Sequence, residues 1–399
     1  MKVCLDTFGC RLNRAEALDE EARYLAAGWE TTVRHSEADL IVVRGCSVTA
    51  RAQSDCEKLI AHIKRKYPAK RLIVRGCLAA ANRGGEDRIL ETQLKAKRVK
   101  EIPLPSRTAR AYLKVQDGCA GKCTFCIVPK FRGNPVSTDF GDAVDRARRF
   151  IDAGYREIVI TGCNLSAYAS CGKRLPELLA AVSDLSSECR ARIGSLEPCA
   201  VAKDVVDIMA ERANVCKFLH LPIQSASPGM LVAMRRPYRV ADVEKLVVEA
   251  RRRMPDIAIG YDLMAGFPGE SEIDFAATKS FLARVPFSKA HVFPFSERPG
   301  TIAAALPGRI PAQVRRTRAG ELARIADENR AAFARKFIGK TVEIVVESES
   351  EIAGWTAEYL WCKASKNALS QGGRTFARKG KAKMRVISAE KHVLCGDPV

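Results

Sequence analysis

Three cysteines fall within eight residues in the segment QDGCAGKCTFCIVP: Cys119, Cys123 and Cys126. Spaced x3 and x2 on one loop, their thiolates can converge on a metal centre. They suit three irons of a [4Fe–4S] cube and leave the fourth iron open to another ligand. Zinc, the alternative, would normally take a fourth protein ligand, and none is adjacent. A second set is scattered. Cys10, Cys46 and Cys77 each follow a glycine, in TFGC, VRGC and VRGC, and each stands just past a stretch that reads as a strand. In a parallel sheet the carboxyl ends of the strands share one edge, where three Gly-Cys pairs could meet. Glycine permits the tight turn and close backbone approach that a cluster needs. From the residues alone, a convergent metal site and three unrelated buried thiols both stay open. The other nine cysteines lack metal-like spacing. Cys4, Cys189, Cys199 and Cys216 lie in or beside apolar runs and are expected in the core, while Cys163 follows a strand end.

The elements that must position these residues alternate in type. Strands are expected at 3–8, 39–44 and 71–75, with helices at 14–27 and 49–67 between them. Strands alternating with helices imply a parallel sheet. Six further strands are expected at 112–116, 157–161, 192–196, 218–223, 257–264 and 290–295, with helices at 140–153, 175–188 and 240–253. Six βα units in series suit a partial barrel, whose chemistry sits at the carboxyl ends of its strands. A long basic helix follows at 311–337. The segments KTVEIVVE and KMRVIS then read as strands of a small β-barrel.

Composition bounds the class. With 399 residues the chain is too long for one compact domain, and 47% hydrophobic residues exclude global disorder. No run of about 18 apolar residues exists, so no membrane helix is expected. The start, MKVCLDTFGC, lacks the charged and apolar regions of a secretory signal, so a cytoplasmic location is expected. There, 15 cysteines read as metal ligands, reactive thiols or buried small hydrophobes rather than disulfides. Lysine plus arginine total 66 against 46 acids, a net charge of +20. That suggests a polyanion partner, or simply a basic surface.

The triad at Cys119 resembles the signature of the radical S-adenosylmethionine superfamily. With Cys10, Cys46 and Cys77 upstream, the chain is similar to the methylthiotransferase family over nearly its whole length. TFGCRLN, GCSVTARA, RGCLA, CTFCIVPKFRG, EIVITGCNLSAY, SLEP, HLPIQSAS, MRRPY, GFPGE and HVFPFSERPGT carry the likeness. TFGCRLN most resembles the type that modifies threonylcarbamoyladenosine next to the tRNA anticodon. The sequence departs from the family at Arg44-Gly45, where Asn-Thr is usual, at Asn134-Pro135-Val136 after the RG pair, and at Ala226, where glycine is usual.

The resemblance implies an α/β chain of three domains. These are a parallel-sheet domain (1–104) with an auxiliary cluster, a partial (βα)6 radical core (105–336), and a TRAM barrel that binds RNA (337–399). It implies two [4Fe–4S] clusters, held by Cys10, Cys46 and Cys77 and by Cys119, Cys123 and Cys126. At the second, S-adenosylmethionine would be reduced to a deoxyadenosyl radical; the first would carry the sulfur that replaces hydrogen on carbon 2 of adenine. Strand-end residues are the candidates for holding S-adenosylmethionine: Gly162, Asn164, Glu197, Gln224 and Gly266, with Phe125 against its adenine. His220 reads as a core histidine. The expected partners are the tRNA anticodon loop and an electron donor of unspecified identity, with no membrane, for a monomer.

From Tyr359 to Ala389 there is no acidic residue and the segment holds eight basic ones, with Tyr359, Trp361 and Phe376 interleaved. Basic side chains track phosphates and aromatics stack on unpaired bases. The rivals are an isopentenyladenosine tRNA substrate, an aspartate of a ribosomal protein, and a non-enzymatic iron–sulfur RNA-binding protein.

Overall fold

The computed structural model describes residues 1–81, 108–348, 350–365 and 377–399. The expected boundary near residue 105, and Lys366, Arg374 and Phe376, lie outside them.

Strands β1 (Lys2–Thr7), β2 (Glu30–Thr32), β3 (Leu40–Gly45) and β4 (Arg71–Gly76) form a parallel sheet in the order β2-β1-β3-β4. Leu40, Ile41, Val42 and Val43 have no exposed surface. An unbroken apolar run of this kind is what a parallel strand covered on both faces requires. Helix α1 (Arg11–Ala26) follows β1 and α2 (Ala50–Lys66) follows β3. Thr49 caps α2 by accepting the Ala52 N–H at 3.2 Å.

The six expected central strands all form: β5 (Ala111–Lys114), β6 (Glu157–Thr161), β7 (Arg190–Ile193), β8 (Phe218–Gln224), β9 (Ala258–Ala265) and β10 (Lys289–Pro294). They pair in parallel as β7-β6-β5 and β8-β9-β10. Parallel bridges at Ala191–Val215 and Ser195–His220 join the two halves. The strands therefore lie in chain order, the outcome of repeated crossovers of one hand. Helices Phe140–Asp152, Leu175–Asp184 and Val240–Arg253 cover the sheet and share its main apolar core.

Strands β11 (Thr341–Ser348), β12 (Ala353–Thr356), β13 (Trp361–Ala364), β14 (Lys381–Glu390) and β15 (Val393–Pro398) close into a barrel in the order β11-β12-β13-β15-β14. Along β14, Ala382, Met384 and Val386 point inward while Lys383 and Arg385 are exposed, the alternation of a strand with one wet face. This barrel docks at the amino ends of the central strands. There Glu157, with no exposed surface, is held by Arg190 at 2.6 Å and Arg192 at 2.7 Å. The same guanidiniums donate to the carbonyls of Trp355 at 2.6 Å and Thr356 at 2.8 Å. Buried charges are tolerated here because each finds partners.

Several expectations need correction. Tyr359 does not offer its ring to solvent. It has φ +65° and stacks between Phe218 at 4.9 Å and Trp355 at 4.7 Å. Lys379 lies 3.8 Å from the Tyr155 ring centre, and Lys381 pairs with Glu343 at 3.0 Å. In the long helix, now Ala312–Arg335, Arg318 is buried against Glu270 and Glu272. Cys199 is exposed, because it precedes the first turn of helix Ala200–Glu211 rather than filling the core.

Candidate functional site

The scattered cysteines meet at the carboxyl edge of the N-terminal sheet. The β3–β4 register places Gly45 opposite Gly76, so Cys46 and Cys77 leave the sheet side by side. Cys10 occupies the N-cap position of α1, and Cys77 opens helix Cys77–Ala81. Gly9, at φ +89°, lies over Cys46; a Cβ there would sit 2.6 Å from the Cys46 Cβ and 2.8 Å from its Sγ. No other residue fits that position. Burial, with Cys10 and Cys77 adding like charge, pushes the Cys46 thiol up to about 11. A bound cation would reverse that preference and draw out the thiolates. The thiol of Cys56 accepts the Cys46 N–H at 3.4 Å, a local support that spacing gave no reason to expect.

The second triad lies on the loop between β5 and the short helix Val128–Arg132. Gly121 N–H donates to Cys119 Sγ at 3.2 Å and Arg236 donates to Cys123 Sγ at 3.0 Å. Burial, aided by Cys123 and Cys119, pushes the Cys126 thiol up to about 11. Among the described residues, three metal-ligating atoms come within 4.8 Å of one another only at Cys4, Asp6 and His35. Neither cysteine triad is that tight. Tetrahedral zinc holds sulfur at about 2.3 Å, so its ligands crowd within about 4 Å of each other. The wider triads fit a multi-iron cluster better than a single zinc.

One ion-pair network joins the two triads. Arg132, six residues after Cys126, places its charge near the Cys77 thiol and reaches Glu16 at 2.9 Å, Asp117 at 3.0 Å and Asn13 at 3.0 Å. Asp117 stands two residues before Cys119. Asn13 donates to the carbonyl of Gly45, beside Cys46, at 3.1 Å. Lys114 closes the network on Glu16 and Asp117, both at 2.6 Å. On the other flank Arg298 binds the carbonyl of Val48 at 3.2 Å and Gln53 at 2.9 Å. Sequence reasoning quoted RG and MRRPY but assigned no role to Arg132 or Arg236. Arg44, a departure from the family pattern, pairs with Glu16 and Glu20.

The strand-end candidates divide. Among the described residues, Asn164 Oδ1 and Gln224 Oε1 are buried with no hydrogen-bond partner, and Gln224 is strained at φ +63°. Two unsatisfied acceptors at the ends of β6 and β8 suit a polar ligand between them. Phe125 is half-buried among Met230, Met234 and Phe267. Glu197 is taken by Arg236 at 2.6 Å. At Gly162 a Cβ would meet Gln116 at 2.9 Å, and at Gly266 it would meet Arg315 at 2.3 Å. The Gly266 N–H is bound by Glu270 at 2.8 Å. These two glycines serve close packing. His220 is buried and paired with Asp262 at 3.0 Å, as a core histidine should be. Cys163 sits 3.4 Å from Asp117 at the edge of the network.

Comparison with known proteins agrees with this geometry. Residues 113–282 match the radical SAM superfamily and residues 2–99 the uncharacterized protein family UPF0004. A tRNA-2-methylthio-N(6)-dimethylallyladenosine synthase of Chlorobium limicola is 31% identical over 88% of this chain and 87% of its own. The threonylcarbamoyladenosine tRNA methylthiotransferase MtaB of Bacillus subtilis is 29% identical over 90% and 89%. The radical methyltransferase TsrM of Kitasatospora setae shares the fold, with a TM-score of 0.56 at 14% identity over 76% of this chain and 77% of its own. A radical SAM fold implies a [4Fe–4S] cluster and S-adenosylmethionine. No described helix is long and apolar enough to cross a membrane. With its sequence relatives, paired triads and three-part fold, the chain belongs to the radical S-adenosylmethionine methylthiotransferase family.

Proposed function

We propose that the protein attaches a methylthio group to carbon 2 of N6-threonylcarbamoyladenosine at position 37 of tRNA, beside the anticodon. The observation that carries the chemistry is the placing of two cysteine triads on one network through Arg132. When bound, a [4Fe–4S] cluster at Cys119, Cys123 and Cys126 would supply the electron that cleaves S-adenosylmethionine to a radical, and a second at Cys10, Cys46 and Cys77 would carry the sulfur. Carbon 2 of adenine has no acidic proton and no leaving group, so radical chemistry answers a need that acid–base groups do not. Asn164 and Gln224 offer acceptors to the ligand's polar groups, and Phe125 a face to its adenine. The residues 1–104, 105–336 and 337–399 serve as sulfur-carrying, radical-generating and RNA-holding domains. In the last, exposed Lys383 and Arg385 would track phosphates. The enzyme works as a monomer in the cytoplasm and takes its electrons from a separate donor.

TFGCRLN supports the threonylcarbamoyl substrate. The second reading, an isopentenyl (dimethylallyl) substrate, is favoured by the names of relatives that are 31–32% identical. Mass spectrometry of tRNA nucleosides from cells lacking the gene decides between them. Loss of 2-methylthio-threonylcarbamoyladenosine is expected. Loss of the isopentenyl counterpart instead would overturn the assignment.

A further inference from the structure

Beneath the two triads, cations from two regions converge on one tyrosine. Arg11 immediately follows Cys10, and its guanidinium lies 5.3 Å from the Tyr359 ring centre. Lys289, the first residue of β10, places its ammonium 4.6 Å from the same ring. Nearby cations are neutralised by acids: Arg110 by Glu347 at 2.6 Å, Arg192 by Glu157 at 2.7 Å. Among the described residues, Arg11 and Lys289 have no carboxylate partner. Asp262, whose charge reaches Lys289, is already shared by His220 at 3.0 Å and His291 at 3.2 Å. A half-buried cation without a counter-ion is costly, and a protein keeps one where a ligand brings the anion. The local field is strong enough to show on the phenol. Burial works to raise Tyr359, yet Arg11, Arg110 and Lys289 outweigh it and bring the group down to about 7.

The site is open. His291, two residues along the same strand face from Lys289, is 65% exposed. It is also one arginine's length from Cys10, hence from the place where carbon 2 of the substrate must meet the sulfur. A substituent on N6 projects away from carbon 2, toward such a neighbouring site. We infer that Arg11, Lys289 and the Tyr359 hydroxyl form a subsite for a carboxylate carried on the N6 substituent of the substrate adenosine. The inference rests on the threonylcarbamoyl reading and explains how that substrate is told from an uncharged one. The guanidinium and ammonium pair with the carboxylate, which replaces the partial charge of Tyr359 as their counter-ion, and the phenol in its protonated form donates to it. An aliphatic N6 group would leave all three unpaired, the situation that gives sharp discrimination.

The test compares anticodon stem-loops bearing threonylcarbamoyladenosine with the same RNAs in which its carboxylate is a methyl ester. Binding to the full-length, cluster-loaded protein is read by fluorescence anisotropy. The wild type should prefer the free acid by about tenfold or more. Lys289→Met and Arg11→Met should each bring that ratio close to one, and Lys289→Arg should keep most of it. Lys289→Met removes a half-buried charge at nearly constant volume, so the fold should tolerate it. A preference that survives both methionine variants overturns the subsite. So does its absence from a wild type that still methylthiolates threonylcarbamoyl tRNA, and the substrate reading then stands. Methylthiolation of isopentenyl RNA alone would instead overturn both.

Discussion

Cys119, Cys123 and Cys126 occupy eight consecutive residues of one loop, whereas Cys10, Cys46 and Cys77 come from three strand ends, 36 and 31 residues apart. The first triad is a local object. Its spacing brings the sulfurs together, and one outside residue, Arg236, steadies Cys123. The second exists only because a parallel sheet sets Gly45 beside Gly76 and lets Gly9 fold over Cys46. Each triad thus has one arginine whose charge acts on one sulfur, but only Arg132 also grips the other triad's loop. Chemistry that must be generic can be written in a short motif; chemistry particular to a family can be written in the topology.

That contrast can be broken at several points. Cys126→Ala should abolish both deoxyadenosine formation and methylthio transfer. Cys46→Ala should lower only the transfer, by about a thousandfold or more. Assays with reductant and S-adenosylmethionine separate the two, and retained transfer in Cys46→Ala would end the two-triad assignment. Arg132→Gln strips a partner from Glu16 and Asp117 together and should cost about 4 kcal/mol. Urea denaturation measures this, and a change near zero would mean that the network does not tie the halves. Gly9→Ala should cost about 3 kcal/mol and reduce bound iron to roughly half, because only the sheet-built site is disturbed. Gly154→Ala, at φ +84° with open space around it, should cost about 1 kcal/mol and leave iron content alone. Smallest is the effect of Lys383→Ala with Arg385→Ala: a few-fold weaker tRNA binding and a salt slope lower by about two. An unchanged slope would return these side chains to an ordinary solvated face.

Much of this was legible beforehand, for reasons that differ by region. The central strands were readable because each is a short apolar run between helical patterns, and Glu157–Thr161 and Val240–Arg253 fall where periodicity put them. The strand Glu30–Thr32 was missed, since three residues carry no period. The six cysteines stand out in the sequence by glycine and spacing. The ion-pair network does not, because Glu16, Asn13, Asp117 and Arg132 are ordinary surface residues until tertiary contacts bury them. Asn164 and Gln224 each keep a buried oxygen without a partner among the described residues, and Gly162 and Gly266 stand where a Cβ would crowd a neighbour. Tyr359 misled because an acid-free, basic stretch describes composition and says nothing of which way a ring points.

The charge of Arg132 beside Cys77 also bears on how the protein matures. The N-terminal sheet leaves the ribosome first and can fold as a unit. Yet one of its thiols feels the charge of a guanidinium encoded 55 positions later, on the far side of the other triad. Under the proposed reading, iron delivered to a nascent chain would meet a sheet whose Cys77 does not yet have Arg132 beside it. Under the proposed two-cluster reading, loading of that site would come late in biogenesis, after the central strands have formed, and a truncated N-terminal fragment would reconstitute poorly.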